Sequence, residues 1–562
     1  MSCLTTDSEN LADASNAIPF EIQRLMEVGA NFVPTESQDQ AIDSALRSLR
    51  EQHAHLSAAE AQETPSAADP KIAVGKLKQL IARLASMRSP VRRVPPEVLG
   101  MVFELCVTRD SAARGAQGPL FLAHVCRNWR EIAHSYPVLW TSLNFYFSDA
   151  CGNREKDVTK VRPALDLWLK RSATLPISLT FTDHRIYHGA TEDLIYLLVD
   201  RLRNNSRRWK SLSLQLSCGY FPLLFTFTPC DLASLEHLSI NGDVLGQRIV
   251  TTLNLNLTSA TKLKSLAYSG PGRSVDDRIH IDWDRLTYVS FEFSPHDGTS
   301  FTLSRQFRQL AQCQNVTTCS LGIGLPFRFA FGGQQTITLP CLETLRVRRL
   351  LPRSHASSAI DYLILPQLQT LEIDAAIFVS WNMKWHDRQF CNLLTRSACS
   401  LENLYIKDVD FPNEELLRCL ANSHKLKSLS FIPCPLSQNI LDIIEKLDIS
   451  RPAGGLPMAS PYLPQLQTLR LACTRVACFD GMLKMLTSRS GARASVAGVT
   501  NLECFELVFY KLWHETNPST EFNLNRFRER LAQCTADDGK LDASLVIEAP
   551  YLPEYIEMPT VS

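Results

Sequence analysis

From residue 209 to residue 507 the apolar positions of this chain recur as L-x-x-L-x-L, a triplet whose last two members are separated by a single residue. Eleven triplets start at Trp209, Leu235, Leu263, Leu286, Val316, Leu342, Leu368, Leu401, Leu426, Leu466 and Leu502. Their first positions lie mostly 23 to 33 residues apart, stretching to 40 and 36 near the end. The wording LPCLETLRV, LPQLQTLEI and LPQLQTLRL is close enough to mark one unit copied along the chain. A period of two places the last two apolar side chains of each triplet on one face of a short strand, with the residue between them on the other. Burying such a side chain is worth about 1.5–3 kcal/mol. No single unit can cover it, so neighbours must stack. Residues 305–313, 390–398, 413–423 and 482–490 have helical spacing between triplets and predict a layer of outer helices. The resulting fold class is an irregular α/β solenoid over residues 205–550, parallel strands on the concave side and helices on the convex side. The polar position three residues past each triplet varies (Asp243, Ala376, Val409, Thr474), which predicts an uneven curve.

A different pattern occupies residues 94–143. Pro95 and Pro96 pre-set a first helical turn, and Glu97 complements the orphan N–H groups at its start. Val98, Leu99, Val102, Phe103 and Cys106 then form one broad apolar face. A second helix is expected with Leu122, Val125, Cys126, Trp129, Ile132 and Ala133 on one side, ending before Pro137. Leu139 and Trp140 reopen the apolar pattern. A unit this small hides only about 60% of its chain's surface on folding. Its surplus of large apolar side chains therefore predicts a docking module.

These residues, VPPEVLGMVFELC followed by HVCRNWREIAHSYPVLWTSL, resemble the F-box in the F-box-like form of large fungal families, with Val94 in place of the usual leucine. LDLWLKRSATLPISLTF, residues 165–181, is similar to the segment after the box in that group. The resemblance implies a substrate receptor of a cullin-RING ubiquitin ligase, with the box gripping a Skp-type adaptor and, through it, cullin. Carried over by position, the implied adaptor contacts are Pro95, Pro96, Val98, Leu99, Val102, Phe103, Val125, Trp129 and Trp140. Cys126, Ile132 and Leu139 are assigned to the core of the unit. A client protein is expected on the outward strand positions of the solenoid, at His237, Asn241, Tyr288, Arg346, Arg348, Glu372, Tyr405 and Arg470. Arg346, Arg348, Arg349 and Arg353 form a local basic stretch, read first as ordinary solvated surface and second as a site for an acidic segment. The alternative function is an interaction scaffold that keeps the box without degrading a client.

Ahead of the box, Ile42, Leu46, Leu49, His53 and Leu56, then Val74, Leu77, Ile81 and Leu84, recur at steps of three and four. They predict a helical hairpin or a short coiled coil over residues 37–89. Residues 1–36 and 551–562 are expected as flexible tails, residues 90–147 as the box and residues 148–204 as a connecting segment. Lys plus Arg and Asp plus Glu both number 58, so no net field points to nucleic acid or membrane. No apolar run is long enough to cross a bilayer and no leader is visible, which predicts a cytoplasmic or nuclear protein. The 17 cysteines are scattered without any C-x-x-C pair, so no metal site is expected, and Cys313, Cys319, Cys473 and Cys478 are read as buried small hydrophobes. Phosphate-cradling, zinc-binding and nucleophile-elbow motifs are missing, so neither an enzyme nor a cofactor is expected.

Overall fold

The structure, a computed structural model, describes residues 19–28, 33–60, 68–107, 118–147, 154–183, 200–217, 232–243, 254–270, 278–293, 307–322, 336–350, 360–375, 387–409, 413–432, 440–450, 462–473, 476–510, 518–538 and 541–548. Ala376, Thr474, Arg353 and residues 1–18 and 551–562 lie outside them. The chain forms two compact units, residues 1–145 with 155–178 and residues 146–154 with 179–562.

The first unit is mainly helical. It opens with α1 (Phe20–Val28), α2 (Glu36–Glu60) and α3 (Ala68–Met87). The Gln38 side chain turns back on Thr35 at the start of α2, as one half of a capping box does: its Oε1 accepts from the Thr35 backbone N–H at 2.9 Å and from its hydroxyl at 2.9 Å. Ile42, Leu46 and Leu49 are buried with Leu77, Leu84 and Met87 of α3 in one cluster. Arg88, just past the end of α3, reaches Asp39 at 2.9 Å and Asp43 at 2.5 Å near the start of α2, so the two helices run antiparallel. Ile22 of α1 is 1% exposed and joins the same cluster. That corrects the expectation of a tail through residue 36. An isolated nine-residue helix is marginal in water, and its docked apolar side chain holds it.

Next come α4 (Pro96–Cys106), α5 (Pro119–Ala123), α6 (Arg127–Ser135) and α7 (Arg154–Arg171). Pro96 stands at the first helical position of α4, as its ring geometry favours. The single second helix expected from Leu122 to Ala133 is instead two. Cys126 is extended (φ −158°, ψ 174°) and its sulfur accepts from the Trp129 N–H at 3.4 Å, capping α6. Cys126 is therefore exposed rather than part of the core. Arg130 Nε donates to the Ala123 carbonyl at 2.8 Å and holds the two short helices across the break. The core of this unit includes Leu99, Phe103, Leu122, Ile132, Leu139 and Trp140. The Trp140 indole N–H donates to the Ala133 carbonyl at 2.7 Å, and its ring meets that of Trp168 on α7 edge-on at 4.7 Å. Gly100 sits so close to Tyr136 that a Cβ there would lie 2.7 Å from the ring.

The strands, in chain order, are β1 (Ser142–Phe147), β2 (Ile177–Asp183), β3 (Trp209–Ser217), β4 (His237–Asp243), β5 (Asn254–Asn256) and β6 (Ser265–Gly270). They continue with β7 (Arg278–His280), β8 (Tyr288–Phe293), β9 (Thr318–Gly322), β10 (Ile337–Thr338), β11 (Thr344–Leu350) and β12 (Leu363–Ile364). The last are β13 (Thr370–Ala375), β14 (Asn403–Lys407), β15 (Ser428–Ile432), β16 (Thr468–Cys473), β17 (Cys504–Tyr510) and β18 (Asp542–Glu548). Fourteen form one sheet in the order β1-β2-β3-β4-β6-β8-β9-β11-β13-β14-β15-β16-β17-β18. From β3 to β18 neighbours pair in parallel, and the triplets stack in register: Leu212, Leu238, Leu266, Val289, Cys319, Leu345, Leu371, Leu404, Leu429, Leu469 and Phe505 form one buried row. This is a mixed α/β, solenoid-like architecture built on a parallel sheet.

All eleven triplets thus supply strands, and three further strands extend the sheet. β1 and β2 stand at one end, which places part of the expected connecting segment in the sheet. β18 stands at the other, with Ala543 in register with Phe505 where a triplet would carry a large side chain. Between strands, the later segments carry α8 (Asp387–Ser397), α9 (Asn413–Ala421), α10 (Ile440–Leu447), α11 (Phe479–Ser488), α12 (Gly491–Val496) and α13 (Pro518–Asp538). Among the described residues the earlier segments carry small parallel pairs, β5 with β7 and β10 with β12, and short helical stretches at 200–204 and 307–310, the latter inside the stretch 305–313 expected as helix.

One device recurs behind the sheet. Arg396, near the end of α8, donates to the carbonyls of Leu363 at 3.0 Å and Ile360 at 2.9 Å, while the Ser397 hydroxyl accepts the Leu365 N–H at 2.9 Å. Arg489, just past α11, donates to the carbonyls of Leu447 at 2.7 Å, Leu463 at 3.0 Å and Tyr462, while Ser488 accepts the Ile449 N–H at 3.3 Å. Each arginine satisfies carbonyls that the preceding segment leaves without strand or helix partners.

Candidate protein-docking surfaces

Helix α4 is apolar on both sides. Leu99, Gly100 and Phe103 face the core, whereas Val98, Met101, Val102 and Leu105 are exposed. The exposed set falls at i, i+3, i+4 and i+7, a full outward stripe along the helix. Leu105 is 87% exposed and Met101 53%. Around α5 a second group, Leu120, Phe121 and Val125, is exposed as well. Soluble proteins seldom leave this many large apolar side chains in water without a partner to cover them.

The residues assigned to adaptor contact divide accordingly. Pro95, Pro96, Val98, Val102 and Val125 are exposed and Trp129 is half-buried. Leu99, Phe103 and Trp140 are buried, and this corrects their assignment: Phe103 packs on Trp129 with ring centroids 4.7 Å apart, and Trp140 is locked by its hydrogen bond and by Trp168. Met101, Leu105, Leu120 and Phe121 belong to the exposed set and were not singled out in the sequence. The helical period contained the signal, because 98, 101, 102 and 105 form a stripe as regular as the buried one.

The second surface is the face of the sheet opposite the buried triplet positions. Register brings Arg346, Glu372, Tyr405, Ser430, Arg470 and Glu506 into one row across β11 to β17. Four of the eight predicted client residues share that row. Arg348 lies in the next row, beside Asp374 and then Lys407. His237 and Tyr288 align with each other through Ser265 at the start of their strands, and Asn241 aligns with Ser269 and Glu292. Along the face the character changes. β3 to β9 present small groups such as Ser213, Ser239, Ala267, Ser290 and Ser320, β11 to β14 are charged, and Ile432, Ala472 and Val508 form a buried apolar cluster flanked by Tyr405, Tyr510 and Val546.

The charges are mostly matched within the face. Arg346 pairs with Glu372 at 2.8 Å and Arg470 with Glu506 at 3.0 Å. Burial pushes the Asp374 carboxyl up, opposed by Lys407 and Arg348 and reinforced by Glu372. Burial also raises Asp408 to about 6, opposed by Lys407 and reinforced by Asp374. The hydroxyls of Ser320 and Ser430 and the Nε of Arg470 are buried without a hydrogen-bond partner. Both serines stand on this face in strands that flank or belong to the charged section. The basic stretch read from the sequence is thus divided: Arg346 is committed to Glu372, Arg348 adjoins Asp374, and Arg353 lies outside the described residues.

Among the described residues no group of three or more His, Cys, Asp or Glu is placed to hold a metal ion, and no helix is long and apolar enough to cross a membrane. Comparison with models of known protein families and with curated proteins finds no match to this chain.

Proposed function

We propose that the chain is the substrate-recognition subunit of a cullin-RING ubiquitin ligase. In this reading the α4 to α6 region is an F-box that docks a Skp-type adaptor, and the sheet of stacked triplets is a leucine-rich-repeat array that holds a client protein. The observation that carries it is the outward stripe Val98, Met101, Val102 and Leu105, on the very helix whose PPEVLGMVFEL wording resembles the box. The buried side of that helix already satisfies the fold, so the outward stripe has no structural task within its own unit. The open sheet face supports the client half, because it offers aligned charged and aromatic side chains and three buried polar atoms lacking partners. Ubiquitin transfer belongs to other subunits in such a ligase, and this chain contributes proximity and orientation.

The competing scaffold function shares both surfaces and differs only in outcome. Proteins captured on the full-length chain are identified first, and their half-lives are then compared in cells carrying wild type or Met101→Asp/Leu105→Glu. A receptor gives longer client half-lives in the variant, with the clients still bound. Unchanged half-lives assign the chain to the scaffold class.

A further inference from the structure

The sulfurs of Cys391 on α8 and Cys419 on α9 lie 3.2 Å apart, although 28 residues separate them in the chain. We infer that these two thiols form a reversible disulfide that clips adjacent segments of the solenoid-like unit together. A covalent S–S bond is about 2.05 Å long, so the sulfurs need to close by only about 1 Å. The exposures of the two differ in a useful way. Cys391 is half-buried and open to a small oxidant, whereas Cys419 is fully buried and positioned to act second. Cys313 and Cys319, by contrast, are both sealed from solvent.

The oxidant class is a low-molecular-weight disulfide such as that of glutathione. The Cys391 thiolate attacks one of its sulfurs, the small S–S bond breaks, and one small thiolate leaves to take up the proton Cys391 released. Cys419 then gives up its proton and attacks Cys391 Sγ, which expels the second small thiolate. Two protein thiols are oxidised by two electrons, one protein S–S bond forms, and the oxidant is reduced to two thiols. The linked helices precede β14 and β15, whose outward residues Tyr405 and Ser430 belong to the charged row. Oxidation therefore fixes the spacing of the segments that carry that row.

Trypsin cuts after Arg388, Arg396, Lys407, Arg418 and Lys425, so Cys391, Cys399 and Cys419 fall on three separate peptides. The folded full-length chain is exposed to oxidised glutathione, remaining thiols are blocked with maleimide, and the non-reduced digest is read by mass spectrometry. The expected product links peptide 389–396 to peptide 419–425, disappears on reduction and is missing in Cys391→Ser. A melting temperature that rises on oxidation in wild type and stays constant in Cys391→Ser is the second expected readout. Cys391 joined to Cys399, or both Cys391 and Cys419 recovered as maleimide adducts while the chain is folded, overturns the inference.

Discussion

Arg489 shows how a single residue decides local order. It is fully buried, and burial pushes its pKa down to about 10, so it is still charged at neutral pH while its guanidinium donates to three carbonyls. Arg489→Met keeps the volume and removes the donors, leaving the Leu447 and Tyr462 carbonyls without this partner while Leu463 keeps the Leu466 N–H. We expect a loss of about 3 kcal/mol, seen as a lower urea midpoint with an unchanged slope. Loss of less than about 0.5 kcal/mol would show that the carbonyls find other donors. Asp408 makes the opposite contribution. Its folded pKa, raised from 3.8 to about 6, means that the fold holds the proton more tightly than the unfolded chain does. Its charge therefore costs stability above pH 6, and the cost fades as pH falls toward 4. Asp408 has φ 56°, a conformation that asparagine also tolerates. Asp408→Asn is expected to melt above wild type at pH 7.5 and to match it at pH 4. Equal melting at both values would refute the assignment.

Among the elements, α4 carries a buried apolar side and an exposed apolar side within eleven residues. Phe103→Ala empties a fully buried site against Trp129 and should cost about 3–5 kcal/mol, whereas Leu105→Ala, changing a residue 87% exposed, should stay within about 0.5 kcal/mol. Chemical denaturation of the two variants side by side checks the assignment, and equal losses would contradict it. The same helix shows what could be read in advance. Its existence and its start followed from Pro95, Pro96 and the apolar spacing. Which apolar side faces out did not, because both sides are apolar and periodicity alone carries no direction. The break at Cys126 is hidden for a related reason: the helical spacing from Leu122 to Ala133 runs through it, while the extended backbone of Cys126 ends one helix and its sulfur, accepting from the Trp129 N–H, caps the next. In the sheet the triplets announced eleven strands, since two large inward side chains per unit are hard to place otherwise. β18 does not fit the triplet pattern because Ala543 stands at the middle position, in register with Phe505, where a triplet carries a large side chain.

At the scale of the whole molecule, the chain combines a mainly helical unit bearing an outward apolar stripe with a parallel sheet whose open face changes from small to charged to apolar groups. Sequence order along that sheet equals spatial order, so its surface chemistry follows from the repeat phase once the register is known. The pairing of Arg346 with Glu372 and of Arg470 with Glu506 could not be seen in the triplets, because each partner comes from a different unit. In the proposed function the stripe on α4 grips a Skp-type adaptor. The most direct test of that grip is co-purification of the full-length chain with that adaptor and cullin, run beside Met101→Asp/Leu105→Glu with melting temperatures recorded for both. Wild type is expected to retain both subunits and the variant, equally folded, neither; a folded wild type that captures no adaptor, or a variant that captures it as well as wild type, rules out the grip.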